Sequence, residues 1–238
     1  MKNTELFYNP FRMISPKLDA EASRIDETIE SREHEMTCLE EGLVIMVDKL
    51  IVMSDLIRKS LILADPEKVK ECERLAKEVH EEEQTLTGDL VCDPVRTSGD
   101  LLKAVVLFPG RLERVGDLLE SILNVARIKS RDGIVFSDMA QQEMDKMFTL
   151  LGEVFRNFRD ALMTQNKTLL DHILEQAGQL AQMTTDYALA HEERLVQGLC
   201  SHKSSSLYLD ILDSVKRAKG NVREMSEKLL EISSQHEE

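Results

Sequence analysis

The stretch LEEGLVIMVDKLIVMSDLI, residues 39–57, places Leu39, Leu43, Met46, Leu50, Met53 and Ile57 at alternating steps of four and three. That is a heptad seam, so this segment is a long helix packed nearly parallel to its neighbours. The same spacing recurs along most of the chain. Asp65-Pro66 stops the first helix, and Pro66 suits the first turn of a second with Val69, Cys72, Ala76, Val79 and Leu86 inward. CDPVRTSGD (92–100) is a loop by composition. A third pattern, Leu101 to Ala126, holds its phase across Pro109-Gly110, so the spacing predicts one kinked helix.

A fourth helix starts after Ser137, a good N-cap, with Ala140, Met144, Met147, Leu151, Val154 and Phe158 inward. A fifth follows QNK (165–167) and stops near Gly198; a sixth opens at SSS (204–206) and buries Tyr208, Ile211, Val215, Ala218, Val222, Met225 and Leu229. ALMTQNKTLL (161–170) resembles SLILADPEKV (60–69) at an offset of 101, and Arg217 echoes Arg114 at 103. The expected fold is therefore all-α: a tandem pair of three-helix bundles, 34–130 and 137–235, behind an N-terminal extension, 1–33. That extension holds Phe7, Tyr8 and Phe11 and a mixed-charge stretch that would prolong the first helix.

Composition agrees with an all-helical core: aromatic residues are 4% of 238, Trp is absent, and there are ten Gly and five Pro. The net charge of −14 argues against a nucleic-acid backbone as ligand and disfavours an anionic membrane surface. Four scattered cysteines form no C-x-x-C; Cys38 and Cys72 fall in helical patterns as small hydrophobes. No signal segment is visible and LVIMV (43–47) is far too short to span a bilayer, so a cytoplasmic location is expected.

Four oxygen-bearing side chains, Glu113, Asp117, Glu120 and Asn124, stack on one line of the third helix, on the face opposite its seam. An outer face is normally charged, and the line is also the spacing of a metal site. Glu83 occupies an inward phase between Val79 and Leu86, where its carboxylate must reach solvent, a cation or a metal. His80 lies a turn away, and acidic oxygens with an imidazole suit iron or zinc. His191 falls on the inward side of its helix with Arg194 a turn further on, the pattern of an interhelical polar contact. Motifs for nucleophilic, phosphate-loop or zinc-protease chemistry are missing, so no catalytic residue is expected.

RLERVGDLLESI (111–122) resembles D-x-E-R-I-G-D-x-A-x-N-I, the motif that ends each bundle in the PhoU family of phosphate-uptake regulators. Glu113, Arg114, Gly116 and Asp117 match, while Arg111 stands for the leading Asp and Asn124 matches only as a later amide. PVRTSGDLLK is similar to the upstream P-x-A-x-D-L-R, with Pro94 and Asp100 retained. HEERL (191–195) and SSSLYLDIL (204–212) are similar to H-x-x-R-L and S-x-L-Y-L-D-L-L in the PhoU-like tails of sodium/phosphate cotransporters. The resemblance spans about residues 36–235.

It implies a non-enzymatic regulator of phosphate transport and signalling that contacts a transporter's cytoplasmic parts and a sensor histidine kinase. A domain associated with a sodium/phosphate cotransporter, and a metal-binding helical-bundle protein, are the alternatives. It also implies iron or zinc on E/D-x-x-x-D pairs: Glu113 and Asp117, with Glu83 or His80. In the second repeat the equivalents are Lys216 and Gly220, which cannot carry a cluster. Asp100, Arg114, His191, Arg194 and Asp210 are the motif residues left for partner contacts, and self-association is allowed.

Overall fold

A computed structural model describes residues 16–32, 38–62, 65–92 and 105–235. Within them are seven helices: α1 (Pro16–Arg32), α2 (Cys38–Ile62), α3 (Pro66–Cys92), α4 (Phe108–Arg131), α5 (Asp138–Thr164), α6 (Lys167–Val196) and α7 (His202–Gln235). No described residue is in a strand. Helices α2–α4 pack on one another as one bundle and α5–α7 as a second. The bundles join along two seams, α2 on α5 and α4 on α7.

Every seam residue of α2, from Leu39 to Ile57, is buried, as are the inward positions read for α4, α5 and α7. Two glycines permit the closest approaches within the first bundle. A Cβ on Gly42 would lie 2.5 Å from Leu86 Cδ2, and one on Gly116 would lie 3.3 Å from Val79 Cγ1. Local chemistry sets the helix ends. Ser137 Oγ accepts from the Ala140 amide at 3.3 Å, Gln165 takes a left-handed φ of 51°, and Asn166 Oδ1 caps α6 through the Leu169 amide at 3.0 Å.

Between the bundles the contacts are mixed. Arg159 Nε donates to Asp48 Oδ1 at 2.8 Å and Arg58 Nη1 to Asp145 Oδ1 at 3.0 Å across the α2–α5 seam. Arg111 pairs with Glu224 across the α4–α7 seam. The Phe108 and Phe158 rings meet at 6.3 Å, tying α4 to α5.

Four expectations need correcting. Residues 16–32 do not prolong the first helix of the bundle; they form α1, which docks on α5 and α6 through Leu18, Ile25 and Ile29. Pro109 does not kink a helix in mid-course. It occupies the first turn of α4, where its missing amide hydrogen costs no intrahelical bond. Helix α7 starts at His202, ahead of the serine run, because Ser201 Oγ accepts from the Ser204 amide at 3.1 Å. Cys38 is exposed at the start of α2, whereas Cys72 is buried and desolvation pushes its thiol up to about 12. Phe7, Tyr8, Phe11 and the loop 93–100 lie outside the described residues.

Candidate functional site

The carboxylate line of α4 borders α3, and its members do not share one environment. Asp117 and Asn124 are exposed, while Glu113 and Glu120 are half-buried at the α3–α4 seam. With α2, α3 and α7 all packed against α4, its outward face is narrow, so residues at its edges are drawn into contacts. His80 Nδ1 lies 2.5 Å from Glu113 Oε1, and the Gln84 amide nitrogen is 2.8 Å from His80 Nε2. The imidazole thus bridges the Glu113 carboxylate and the Gln84 amide, with Nδ1–H donating to the carboxylate. The Glu113 bond pushes the His80 pKa up. Partial desolvation, and then the Glu113 charge, push Asp117 up.

Glu83 is half-buried, and its carboxylate accepts from Thr87 Oγ1 at 2.8 Å one turn along α3. The structure thus brings Glu113, Glu83 and Asp117 within electrostatic reach of His80, while the Glu83 carboxylate bonds within its own helix. Among the described residues no three His, Cys, Asp or Glu side chains converge as a metal donor set.

A second constellation lies inside the other bundle. Arg194 on α6 donates two hydrogen bonds to Glu143 on α5, Nη1 to Oε1 at 2.8 Å and Nη2 to Oε2 at 2.7 Å. Tyr208 on α7 donates its hydroxyl to Glu143 Oε2 at 2.5 Å. One carboxylate thereby ties three helices together. The Glu143 bonds raise the Arg194 pKa, and burial followed by the Glu143 hydrogen bond raises that of Tyr208. His191 is 2% exposed, its ring 4.8 Å from that of Tyr208, and both ring nitrogens lack a hydrogen-bond partner.

The motif residues therefore divide. His191 and Arg194 lie within the second bundle, and Arg194 makes the interhelical contact that its spacing predicts. Arg114 and Asp210 are exposed, and Asp100 lies outside the described residues. Glu143 is the functional residue that the spacing does not single out. Its signal is a carboxylate in the inward phase between Ala140 and Met147, the same oddity that Glu83 shows.

Burial, then the Arg194 charge, depress the His191 pKa below its ordinary 6.5. The unfolded chain then binds this proton more readily than the folded one. Stability from a neutral His191 is complete above about pH 6.5 and declines as pH falls toward the lower folded value. His191→Gln should flatten this acid-side loss in urea titrations from pH 7 to 5. An unchanged slope would contradict the burial. His172, also depressed, keeps its own share in both proteins.

No family model matches the sequence, and neither does any curated protein. Solved structures match the fold, two PhoU proteins among them. The crystal structure of PhoU from Pseudomonas aeruginosa superposes with a TM-score of 0.77 at 13% identity, over 86% of this chain and 99% of that one. That of the phosphate transport system regulatory protein PhoU from Streptococcus pneumoniae gives 0.72 at 14%, over 87% and 97%. The near-complete coverage of both, together with the paired three-helix bundles, gives this chain the PhoU fold.

Proposed function

We propose that the protein is a non-enzymatic regulator of phosphate transport that acts by presenting helical faces to a transporter's cytoplasmic components. The observation that carries this reading is the match of the whole tandem architecture to a phosphate transport system regulatory protein, along nearly its full length. Arg114 and Asp210, both exposed motif residues, are the partner contacts we assign. A sensor histidine kinase is a further partner. A cytoplasmic location follows from such partners; no helix among the described residues is long and apolar enough to cross a membrane. Deleting the gene should raise labelled-phosphate uptake in phosphate-replete cells, and restoring it should return uptake to the parental rate. Uptake indifferent to the gene would overturn the proposal.

The resemblance of HEERL and SSSLYLDIL to the PhoU-like tails of sodium/phosphate cotransporters supports a sodium/phosphate carrier as the second reading; here the two segments supply Arg194 and Tyr208 to Glu143. Uptake that responds to the gene only in the presence of sodium would select it.

For metal, the donors present suit one exchangeable iron or zinc ion on Glu113 and Asp117, with water completing its shell. His80 would join only by giving up its bonds to Glu113 or Gln84. Elemental analysis should find at most about one ion per chain, lost in the Glu113→Ala/Asp117→Ala double variant. Asp117 is exposed and Glu113 half-buried, so the pair of changes should move folding stability by only about 1 kcal/mol. Metal retained by the double variant would remove these residues from the assignment.

A further inference from the structure

The second bundle reverses the charge of the first at the same register. Shifting by 103 residues places Lys216, Gly220 and Arg223 where the first repeat has Glu113, Asp117 and Glu120. Between Lys216 and Arg223 the sequence KRAKGNVR holds four cations and no acid, in a chain of net charge −14. Lys216, Lys219 and Arg223 follow the i, i+3, i+7 spacing of one helix face.

Lys219 takes the register position of Gly116, the residue whose missing side chain lets α3 and α4 close together. A lysine there has its stem drawn into the helix seam, and Lys219 is only 8% exposed. No described residue hydrogen-bonds or ion-pairs with it. Burial, then the charges of Arg223 and Lys216, push its ammonium below the usual lysine range, so the three cationic groups crowd one another. Of the nearby acids, Glu227 accepts from Arg223 Nε at 2.8 Å and so balances part of that charge, and Asp213 lies 3.9 Å from Arg217; neither pairs with Lys216 or Lys219. The stem is buried while the ammonium reaches the surface unpaired beside two like charges, a cost that a bound anion would offset.

Beside these cations is a cleft. Helices α6 and α7 part to leave a cavity of about 290 Å³, walled by Ala188, Leu209 and Leu212, with Thr184 along one side and both Lys216 and Asp213 in its lining. Gly178 and Gly220 have open space where a Cβ would stand.

We propose that this face of the second bundle binds a phosphate-type oxyanion, the anion held by Lys216 and Lys219 with the Arg223 nitrogens that Glu227 leaves free, and any organic group lying in the α6–α7 cleft. Lysine binds phosphate as a point charge, and a doubly charged anion neutralises a crowded triplet better than chloride does. The site goes beyond the regulatory reading and is tested in the purified protein, so its failure leaves the uptake result untouched.

The test is calorimetric titration of the whole chain with inorganic phosphate and with phenyl phosphate at fixed ionic strength. Wild type should bind at least one of them saturably, and Lys219→Met and Lys216→Gln should each weaken binding about tenfold or more. Tighter binding of phenyl phosphate would assign the site to phosphate monoesters; equal or tighter binding of inorganic phosphate would assign it to the free anion. Lys219→Met keeps the aliphatic stem and removes a charge crowded by Arg223 and Lys216. It should raise the thermal midpoint without ligand and abolish the further rise that phosphate gives wild type. Absence of saturable binding by either probe up to about 10 mM would overturn the proposal. So would equal affinity in the two variants and wild type.

Discussion

Arg194→Met is expected to lower folding stability by about 3–5 kcal/mol, the largest loss we foresee from a single polar residue. The substitution leaves Glu143 buried, its Oε1 and Oε2 stripped of the two guanidinium bonds at 2.8 and 2.7 Å. Only the Tyr208 hydroxyl remains to solvate that charge. The side chains of Arg194 and Glu143 are 14% and 9% exposed, so water cannot replace the lost donor. The cost comes from the orphaned carboxylate more than from the vanished pair. A Glu143→Leu/Arg194→Met double variant should therefore recover most of the stability. Urea unfolding of the two singles and the double completes the cycle. A single-variant loss below about 1 kcal/mol would mean that the pair is effectively solvated.

Phe158→Ala should cost a comparable amount, about 3–5 kcal/mol, for an apolar reason. Phe158 is fully buried on α5 and meets Phe108 of α4, so its ring belongs to the zone where the two bundles join. Helices on every side limit how far the site can collapse into the void. Because α2–α5 and α4–α7 contacts make the core continuous, one cooperative transition at lower denaturant is expected, read by circular dichroism. Two separated transitions would show instead that the bundles unfold independently.

How much of this was legible beforehand depended on whether a feature repeats along the chain. The α2 seam from Leu39 to Ile57, and the inward series of α5 and α7, could be read because each helix buries one face at a fixed period. Helix α1 could not. Its three anchors, Leu18, Ile25 and Ile29, sit in a mixed-charge segment, and the surface that makes them apolar contacts lies on α5 and α6, far along the chain. Pro109 was misread because phase alone does not distinguish a kink from a first turn; the turn at Leu107 decides it.

The candidate sites divide in the same way. Glu113, Asp117 and His80 were visible as residue types at helical spacing, but not the 2.5 Å contact between His80 and Glu113, which needs α3 and α4 in register. Glu143 carried only the hint of a charge in an apolar phase. The charge reversal at Lys216, Gly220 and Arg223 was readable from the repeat. The unpaired burial of Lys219 was not.

The sequence by itself thus determined the helices, their buried faces and the duplication, since periodicity, capping residues and repeat offset are local properties of the chain. Tertiary structure alone decided that α1 covers the second bundle and that Glu143 gathers Arg194 and Tyr208. It also decided that the Lys219 stem is buried with its ammonium unpaired and that Lys216 edges an open cleft. The physical reason is that burial and charge pairing depend on which distant surfaces meet, and a helix's own period specifies the face to be buried without naming what will cover it.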